Sequence, residues 1–530
     1  ALSCLAEEGV TVDSVPAAGR WIPLRRTANI TTGGTAEDVT DSVHPDNRRL
    51  AERAARVVGL DIAGVDFLTT DISRSWHDVG GAICEVNAQP GFRNHWMADP
   101  DRDINGEIVD IIFGRRSGRI PTAAITGTNG KTTKSTMLHH IWMTAGKHTG
   151  ICATPAVRVG YDDVITKLNR SGLEGAEMLL KDPAVEAAVF EMPHKGLIYL
   201  GHPCDRYEVA AMLNVTDDHI GTHGIESVQQ MAELKAQVLE RAERAVVINA
   251  DDPLCMAMRS RAGTPRHILV TRRPDAPAVR AHRDAGGEAV FIADRDGESW
   301  IVLATGAAEE PLMGVSAIPA TMNGLLRVNE MNAMFAAGLA WAQGVELNVV
   351  RRALGSFSTS PEQNPGRFNF IGGLEFQVVL DYAHNPDGFR ELCSVVSQLP
   401  VAGRRLLMTK RIGNRHAAHF TEVATMMVKT FDDIIVSGDP KWIGQNAEYA
   451  GQDPVGVMLS TSRQRLLDHG GAPDRITLEP NGDTAIQMAL ETARAGDLVV
   501  VLADPHEALP LINDFVRSRQ DREGTLYPPG

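Results

Sequence analysis

Short apolar runs and longer amphipathic segments alternate along most of this chain. Between residues 119 and 365, apolar runs such as 187–190 and 209–213 are each followed by a polar residue and then by a segment of helical periodicity. Apolar runs of this length are typical of buried parallel strands. The pattern therefore predicts an α/β fold in which helices cover a parallel sheet.

The same alternation returns after residue 366, with apolar runs at 378–380, 406–408, 434–436 and 498–502. It predicts a small doubly wound domain over residues 366–530. Proline and glycine at 365–366 mark the boundary before it, and the basic, glycine-containing segment 113–120 marks an earlier one. The predicted domains are residues 1–115, 116–365 and 366–530.

The first domain has a different pattern. Residues 46–58 have helical periodicity, with Leu50, Ala54 and Val57 on one face, and segments 62–68 and 82–87 are predicted to be neighbouring strands.

Composition narrows the classes of function. The 530 residues include 52 basic and 67 acidic side chains, for a formal charge of −15, which argues against general nucleic-acid binding. The six cysteines are scattered, which favours reduced thiols, and we find neither a signal peptide nor an apolar run long enough for a bilayer. We expect a cytoplasmic protein with no nucleic-acid or membrane partner. Because the chain begins at Ala1 without methionine, we also expect it to be part of a longer protein.

The clearest motif is a glycine turn between a predicted strand and a predicted helix. It consists of Gly127, Thr128, Asn129, Gly130, Lys131, Thr132 and Thr133, followed by a segment, 134–144, that we predict to be amphipathic. Glycines let backbone N–H groups surround a phosphate, the lysine brings positive charge to the β- and γ-phosphates, and the Thr132 hydroxyl is a ligand for Mg²⁺. The motif predicts ATP and Mg²⁺ as cofactors; an ordinary strand-to-helix turn is the alternative.

Polar side chains follow several predicted strands of the central domain. They are Lys131, Glu191, Asp218, His219 and Asn249. Ligands of open parallel sheets gather at the carboxyl ends of strands, so we expect these groups to converge, although each alone could be a cap or a satisfied loop residue. Glu191 and His219 could hold a second Mg²⁺ that keeps a substrate carboxylate against the γ-phosphate. The chemistry suggested is formation of an acyl phosphate, which an amine then attacks.

Five further positions have open alternatives. Lys235 lies on a predicted helix and is either a solvated surface lysine, which the sequence favours, or a lysine turned into the site and carbamylated. Asn329, with Asn332 on the same helix face, could read the adenine edge or cap the helix. Ahead of the central domain, Asp66, Glu85 and Asn87 could share a strand face and hold Mg²⁺, although exposed acids are common on strands.

The segments around these acids resemble the end of an ATP-grasp ligase. Asp66-Phe67 and the run from Glu85 to Gly91 match the part of that family in which Asp, Glu and Asn hold the catalytic Mg²⁺. The segment 25–34 resembles the same domain. Since the nucleotide-clasping front half of an ATP-grasp domain would lie upstream, we expect this part to be inactive by itself.

The later motifs, in this order, resemble the Mur ligase family. The resemblance rests on segment 126–133, Glu191, segments 214–219 and 249–252, Asn329, Arg367 and segment 381–386. It implies that Lys131 and Thr132 bind ATP phosphates and Mg²⁺, that Glu191 and His219 hold metal, and that Lys235 is carbamylated. It also implies that Asn329 contacts adenine, Arg367 the γ-phosphate and Asp381 the ribose side of the cleft, with closure of the C-terminal domain about a hinge at 361–367.

An ATP-grasp end joined to Mur-like domains is similar to the cyanophycin synthetase family. The resemblance implies an enzyme that joins the α-amine of arginine to aspartate β-carboxylates, with an aspartate/arginine polymer and a free amino acid as substrates, and we expect a homo-oligomer. Two segments depart from that family, 192–196 and 413–417, and both put the added amino acid in doubt. The alternatives are a Mur-type ligase with another acceptor and a non-catalytic nucleotide-binding scaffold.

Overall fold

The computed structural model describes residues 1–25, 30, 34–114, 118–165, 171–410, 417–438 and 453–524. These residues form two compact units, Ala1–Arg119 and Ile120–Gly530. Element labels below run in chain order over the described residues.

The first unit is built on two antiparallel strands, β1 and β2, against which helix α2 packs. Its elements are α1 (Leu2–Glu7), α2 (Pro45–Val58), β1 (Gly64–Thr69), α3 (Trp76–Val79), β2 (Gly81–Asn87), α4 (Arg93–Ala98) and α5 (Ile104–Phe113). Helix α2 begins at a proline and ends at Gly59, whose φ of 82° is readily adopted only by glycine. Leu50, Ala54 and Val57 have the predicted helical spacing in α2, although Val57, near its end, is 79% exposed.

The second unit contains two sheets, the larger of which has eleven strands in the order β13-β12-β11-β10-β9-β8-β3-β7-β4-β5-β6. The seven strands from β11 to β4 in this order are parallel, and antiparallel strands extend both edges. Its strands are β3 (Thr122–Thr126), β4 (Thr149–Cys152), β5 (Val157–Val159), β6 (Asp162–Ile165), β7 (Ala187–Glu191), β8 (Tyr207–Met212), β9 (Ala242–Asn249), β10 (His267–Thr271), β11 (Glu288–Arg295), β12 (Glu298–Thr305) and β13 (Ala308–Gly314).

Helices cover this sheet on both faces, as the apolar runs predicted. They are α6 (Lys131–Thr144), α7 (Leu173–Leu180), α8 (His194–Tyr199), α9 (Val228–Glu240), α10 (Pro253–Ala257), α11 (Pro277–Asp284), α12 (Arg327–Ala342) and α13 (Leu347–Ser356). Strands β3, β7 and β8 are almost wholly buried because the two apolar clusters of this region lie on opposite sheet faces.

Helix α6 differs from its prediction. The sequence indicated an amphipathic helix, but ten of its fourteen residues are buried, including Lys134 and His139. The helix packs against the sheet on one side and against α12 and α13 on the other, so it has almost no solvent face. Its polar residues are therefore internal groups that need partners within the protein.

The smaller sheet has six strands in the order β14-β15-β19-β16-β17-β18, parallel except for β14. Its elements are β14 (Asn369–Ile371), β15 (Gln377–Asp381), α14 (Pro386–Gln398), β16 (Arg405–Thr409), α15 (Ala417–Thr430), β17 (Asp433–Ser437), α16 (Pro454–Asp468), β18 (Ile476–Glu479), α17 (Gly482–Thr492), β19 (Leu498–Leu502) and α18 (Pro505–Gly524). The prediction of an α/β chain with a small doubly wound C-terminal part is confirmed. This sheet contributes β15 and the start of α14 to the site described next.

Candidate functional site

A cavity of about 980 Å³ lies at the carboxyl ends of β3, β7 and β8 and is closed on its other side by β15 and α14. The predicted site residues that line it are Gly127, Thr128, Asn129, Gly130, Lys131, Thr132, Thr133, Glu191, His219, Lys235, Asn329, Arg367 and Asp381. Groups that are up to about 250 positions apart in the sequence thus face one space. Its volume is in the range of pockets that hold small ligands.

The turn between β3 and α6 is held open by a side chain from the next strand along the sheet. Asn214 Oδ1 accepts hydrogen bonds from the backbone N–H groups of Thr128 (3.0 Å) and Asn129 (2.8 Å), and Asn214 Nδ2 donates to the Asn129 carbonyl (3.1 Å). Gly130 has a φ of 81°, and a Cβ there would lie 2.6 Å from Lys134 Nζ. The turn therefore needs glycine both for its backbone angle and for space.

Lys131 is folded onto this turn. Its ammonium donates hydrogen bonds to the carbonyls of Gly127 and Thr128, both at 3.0 Å. Desolvation lowers the pKa of Lys131, while the carboxylates of Glu191 and Asp218 act in the opposite direction. The two carbonyls thus hold the amine where an anion in the turn would meet it.

Glu191 ends β7 and is 2% exposed. Its Oε2 accepts hydrogen bonds from Thr132 Oγ1 (3.0 Å) and the Thr154 N–H (2.8 Å), and its Oε1 accepts one from Thr154 Oγ1 (2.9 Å). This buried carboxylate is therefore fixed beside the hydroxyl of the glycine turn.

His219 and Asp218 follow β8 in a strained loop. His219 has a φ of 62°, which is uncommon for a residue other than glycine. Its Nε2 lies 3.9 Å from Asp218 Oδ2, and its ring centroid lies 4.4 Å from that of His194. Burial, together with repulsion from His219, Lys235 and Lys131, lowers the pKa of His194 to about 2.

Lys235 is not the solvated lysine that the sequence favoured. It lies on the inner face of α9, is 3% exposed and lines the cavity. Burial and the nearby Lys131 lower its pKa to about 7. A neutral amine is therefore well populated near neutral pH, and this is the form that can react with carbon dioxide.

A chain of buried hydrogen bonds runs from the glycine turn to the start of α12. Lys134 Nζ donates to Asn332 Oδ1 (2.5 Å), Asn332 Nδ2 donates to Asn329 Oδ1 (2.7 Å), and Asn329 Nδ2 donates to the Ala320 carbonyl (2.6 Å). Burial and Lys131 lower the pKa of Lys134 to about 7. The orientation of Asn329 is therefore tied to the turn through Lys134.

The C-terminal part of the unit adds groups on the opposite wall. An Arg367 amine donates to Thr132 Oγ1 (3.3 Å), and its guanidinium lies 4.9 Å from the Tyr382 ring centroid. Asp381 accepts hydrogen bonds from the N–H groups of Phe368 (2.8 Å) and Ala383 (2.7 Å), while desolvation raises its pKa against the effect of Arg367. The arginine therefore reaches the glycine turn from the second sheet.

Asn385 also connects the C-terminal part of the unit to the glycine turn. Its Nδ2 lies 2.9 Å from Asn129 Oδ1 and 3.4 Å from Asp218 Oδ2, and its Oδ1 accepts the Gly388 N–H as the N-cap of α14. Asn385 lies in the segment 381–386, which carries the Mur ligase resemblance, but the sequence predicts no role for it. The sequence also predicts no role for Asn214, Thr154 or Lys134.

Some predicted positions lie elsewhere. Asn249 does not line the cavity, because its Nδ2 donates to the Leu213 carbonyl (2.7 Å) and its Oδ1 accepts the Asp251 N–H (2.9 Å). Asn249 therefore ends β9 at the expected sheet edge, but its amide is taken up by hydrogen bonds that fix two strand ends and does not reach the cavity.

The carboxylates of the first unit belong to β1 and β2. Asp66 lies opposite Glu85 in the antiparallel register, and Asn87 lies two residues further on. The three positions therefore share a sheet face, and their role in metal binding stays a prediction. Residues 413–416 of the divergent loop lie outside the described residues.

Comparisons with known proteins agree with this architecture. Residues 125–299 match the Mur ligase middle domain, residues 366–504 match the glutamate ligase domain of Mur ligases, and residues 23–112 match the RimK-like ATP-grasp domain. The fold of this chain is similar to that of E. coli FolC in complex with DHPP and ADP, with a TM-score of 0.53 and 17% identity over 78% of this chain and 92% of that one. It is also similar to MurF from Acinetobacter baumannii, with a TM-score of 0.51 and 17% identity over 75% and 77% of the two chains.

The chain thus contains part of a RimK-like ATP-grasp domain followed by the middle and C-terminal domains of a Mur ligase. In sequence it is a relative of the cyanophycin synthetases, and the predicted resemblance is confirmed. It is 33% identical to the Synechocystis sp. protein over 95% of this chain and 56% of that one, and 36% identical to the Trichormus variabilis protein over 94% and 54%. This chain therefore spans a little over half the length of these relatives.

A second group of relatives is matched over nearly its whole length. The UDP-N-acetylmuramoyl-L-alanyl-D-glutamate--2,6-diaminopimelate ligase of Geobacillus kaustophilus is 27% identical over 92% of this chain and 94% of its own. Among the described residues, no helix is long and apolar enough to cross a membrane.

Proposed function

We propose that this chain is an ATP-dependent amide ligase that activates a carboxylate as an acyl phosphate and joins it to an amine. The observation that carries the proposal is the single cavity in which the glycine turn, Glu191 and Lys235 face Arg367. Phosphoryl transfer depends chiefly on positioning and charge stabilisation, and these residues supply both. Arg367 meets the turn from the second sheet, so the nucleotide would be enclosed on both sides and water kept from the activated acid.

The residues fit ATP and a divalent cation. Helix α6 begins at the turn, so its first backbone N–H groups are at the cavity, and Lys131 lies against the turn. A Cβ at Gly130 would meet Lys134 Nζ at 2.6 Å. The fixed Glu191 carboxylate and the Thr132 hydroxyl are hard oxygen donors of the kind that Mg²⁺ prefers, with His219 nearby. When bound, the ion would neutralise charge on the phosphates.

The donor set of the protein is small. Within the described parts of the chain, no three or more His, Cys, Asp or Glu side chains are grouped as a metal site. A cation here would therefore complete its coordination with water and phosphate oxygens, as Mg²⁺ commonly does.

The chain's own residues have separate proposed tasks. Lys131 and Arg367 would stabilise the transferred phosphoryl group from opposite sides, and Asn329 and Asp381 would orient the adenosine. Lys235 would face the metal after carbamylation, for which its lowered pKa makes the amine available. We also retain the domain boundaries at about 115 and 365 as proposals.

The substrates we propose are an aspartate β-carboxylate and the α-amine of arginine, because the relatives matched at 33–36% identity are cyanophycin synthetases. The second candidate is a Mur-type ligase with another acceptor. The full-length match to a diaminopimelate ligase favours it. So does the segment 192–196, which departs from the cyanophycin synthetase pattern and whose residues from Pro193 to Gly196 line the cavity. A nucleotide-binding scaffold without catalysis is the third candidate.

The test is ADP release by the purified chain with each substrate omitted in turn. Dependence on both a β-aspartyl acceptor and arginine supports the proposal, and dependence on a muropeptide acceptor supports the second candidate. Lys131→Met should lower the rate by a factor of about 100 or more, since it removes a cation from the transition state. An unchanged rate in this variant would refute the assigned role of the turn, and ADP release with no acceptor requirement would refute the ligase.

A further inference from the structure

The cavity wall beyond Glu191 carries cationic and hydroxyl groups that the proposed phosphoryl chemistry does not use. Helix α8 begins directly after β7 and contributes His194, Lys195 and Tyr199 to the lining. These groups adjoin His219, which faces the place where the activated carboxylate would lie. The wall is thus next to the reacting atoms but is separate from the glycine turn.

A contact between the end of α8 and the loop after β8 fixes this wall. Tyr199 Oη lies 2.7 Å from His223 Nδ1, and the two rings meet edge to face with centroids 5.5 Å apart. The centroid of the His194 ring lies 4.4 Å from that of His219 and 6.1 Å from that of His223. The arrangement therefore positions hydroxyl and imidazole groups before any substrate arrives.

Two polar side chains on this wall have hydrogen-bonding capacity that the described protein does not use. His194 Nε2 is buried and has no hydrogen-bond partner among the described residues. Lys195 lines the cavity and forms no ion pair with any residue that the structure describes. Buried polar atoms are normally satisfied, so a partner from outside the protein is expected.

We propose that His194, Lys195 and Tyr199 form a subsite for a substrate carboxylate that is not itself activated. An ammonium and an imidazole N–H are hydrogen-bond donors, and so is the Tyr199 O–H when His223 Nδ1–H donates to Tyr199 Oη. Donors to an ionised acceptor form the stronger bonds. This inference rests on the proposed ligase function, in which an aspartyl acceptor carries a second carboxylate two carbons from the reacting one. The incoming amino acid is the other source of a carboxylate.

The test measures equilibrium binding, so that it does not depend on turnover. The full chain is titrated by calorimetry, with Mg²⁺ and a non-hydrolysable ATP analogue present, against two matched pairs of ligands. One pair is a peptide that ends in aspartate with a free β-carboxylate and either a free or an amidated terminal α-carboxylate, and the other is arginine and argininamide. The wild type should bind the free acid of one pair about ten-fold more tightly than the amide, as expected for one charge-assisted contact.

Lys195→Gln should reduce that preference to about two-fold or less, and Tyr199→Phe should reduce it partly. Lys181→Gln is the matched control, because Lys181 is an exposed lysine paired with Glu177 on α7. Loss of the preference in Lys195→Gln but not in the control supports the subsite, and the pair affected identifies the substrate. Equal binding of acid and amide by the wild type, or a preference unchanged in Lys195→Gln, overturns it. Absence of ADP release in the separate turnover assay would instead count against the proposed function.

Discussion

Replacing Lys134 with methionine should stabilise the nucleotide-free protein near neutral pH. Lys134 is 3% exposed, and burial lowers its pKa from 10.5 to about 7. Between these two pH values the unfolded lysine holds a proton that the folded one has released, so unfolding takes up a proton. The free energy of unfolding of the wild type therefore rises with pH across this window, and the buried ammonium is a cost that disappears toward pH 10.

The size of the effect follows from the shift. At 1.36 kcal/mol per pKa unit, the cost of Lys134 is about 4 kcal/mol at pH 7 and about 2 kcal/mol at pH 9. Methionine has a similar volume, but it leaves Asn332 Oδ1 without its donor at 2.5 Å, which costs about 1–3 kcal/mol. The net gain should be about 1–3 kcal/mol at pH 7 and close to zero at pH 9.

The assay is urea unfolding of the nucleotide-free wild type and Lys134→Met at both pH values, compared by the midpoints of the transition. Lys181→Met is the control, because an exposed lysine should give the same small difference at either pH. A variant that is less stable than the wild type at pH 7, or a difference that does not change between pH 7 and pH 9, would refute the reasoning.

Two other predictions concern how the turn is held. Asn385→Ala removes the contacts to Asn129 and Asp218, so kcat should fall about ten-fold. The free energy of unfolding should fall by about 1 kcal/mol because α14 loses its N-cap. Steady-state kinetics and urea midpoints measure these two effects, and an unchanged kcat would contradict a role of Asn385 in holding the turn. Asn214→Ala should raise the KM for ATP about ten-fold because the turn loses three hydrogen bonds. Asn249→Ala should lower the urea midpoint and leave the KM for ATP unchanged. Equal effects of the two substitutions on this KM would contradict the assignment of Asn214 to the turn.

The convergence of Lys131, Glu191 and His219 could be predicted because it follows from topology. Glu191 ends a buried apolar strand, Lys131 and His219 lie in the segments that follow two others, and parallel strands bring their carboxyl ends to one edge. The roles of two other residues could not be predicted in this way. Periodicity does not say which face of α9 Lys235 occupies once the loops have packed, and it does not show that the amide of Asn249 is taken up by the neighbouring strand end.

The α6 helix shows the same limit. A run of Lys, Thr and Ser suggests a solvent face, but α12 covers that face, and the sequence separation between Lys134 and Asn332 is 198 residues. A contact of that range depends on where the later helix packs, which local spacing does not encode. The links from Asn385 and Arg367 to the turn are of the same kind, since they depend on the position of the second sheet.

The buried lysines at and behind the site lower the stability of the nucleotide-free protein. Lys131, Lys134 and Lys235 all have lowered pKa values, and Lys131 is among the causes of the shift in both of the others. In a chain with a formal charge of −15, the sequence contains ample carboxylates to neutralise these lysines, yet the nearest partners of Lys131 and Lys134 are neutral carbonyl and amide oxygens. A site whose lysines have neutral oxygens as hydrogen-bond partners is suited to a polyanion, because the bound ligand then supplies the negative charge that favours the protonated amines. Binding of a triphosphate should therefore stabilise the folded protein by offsetting the cost of the buried lysines. A preorganised site commonly lowers the stability of the unliganded protein in this way.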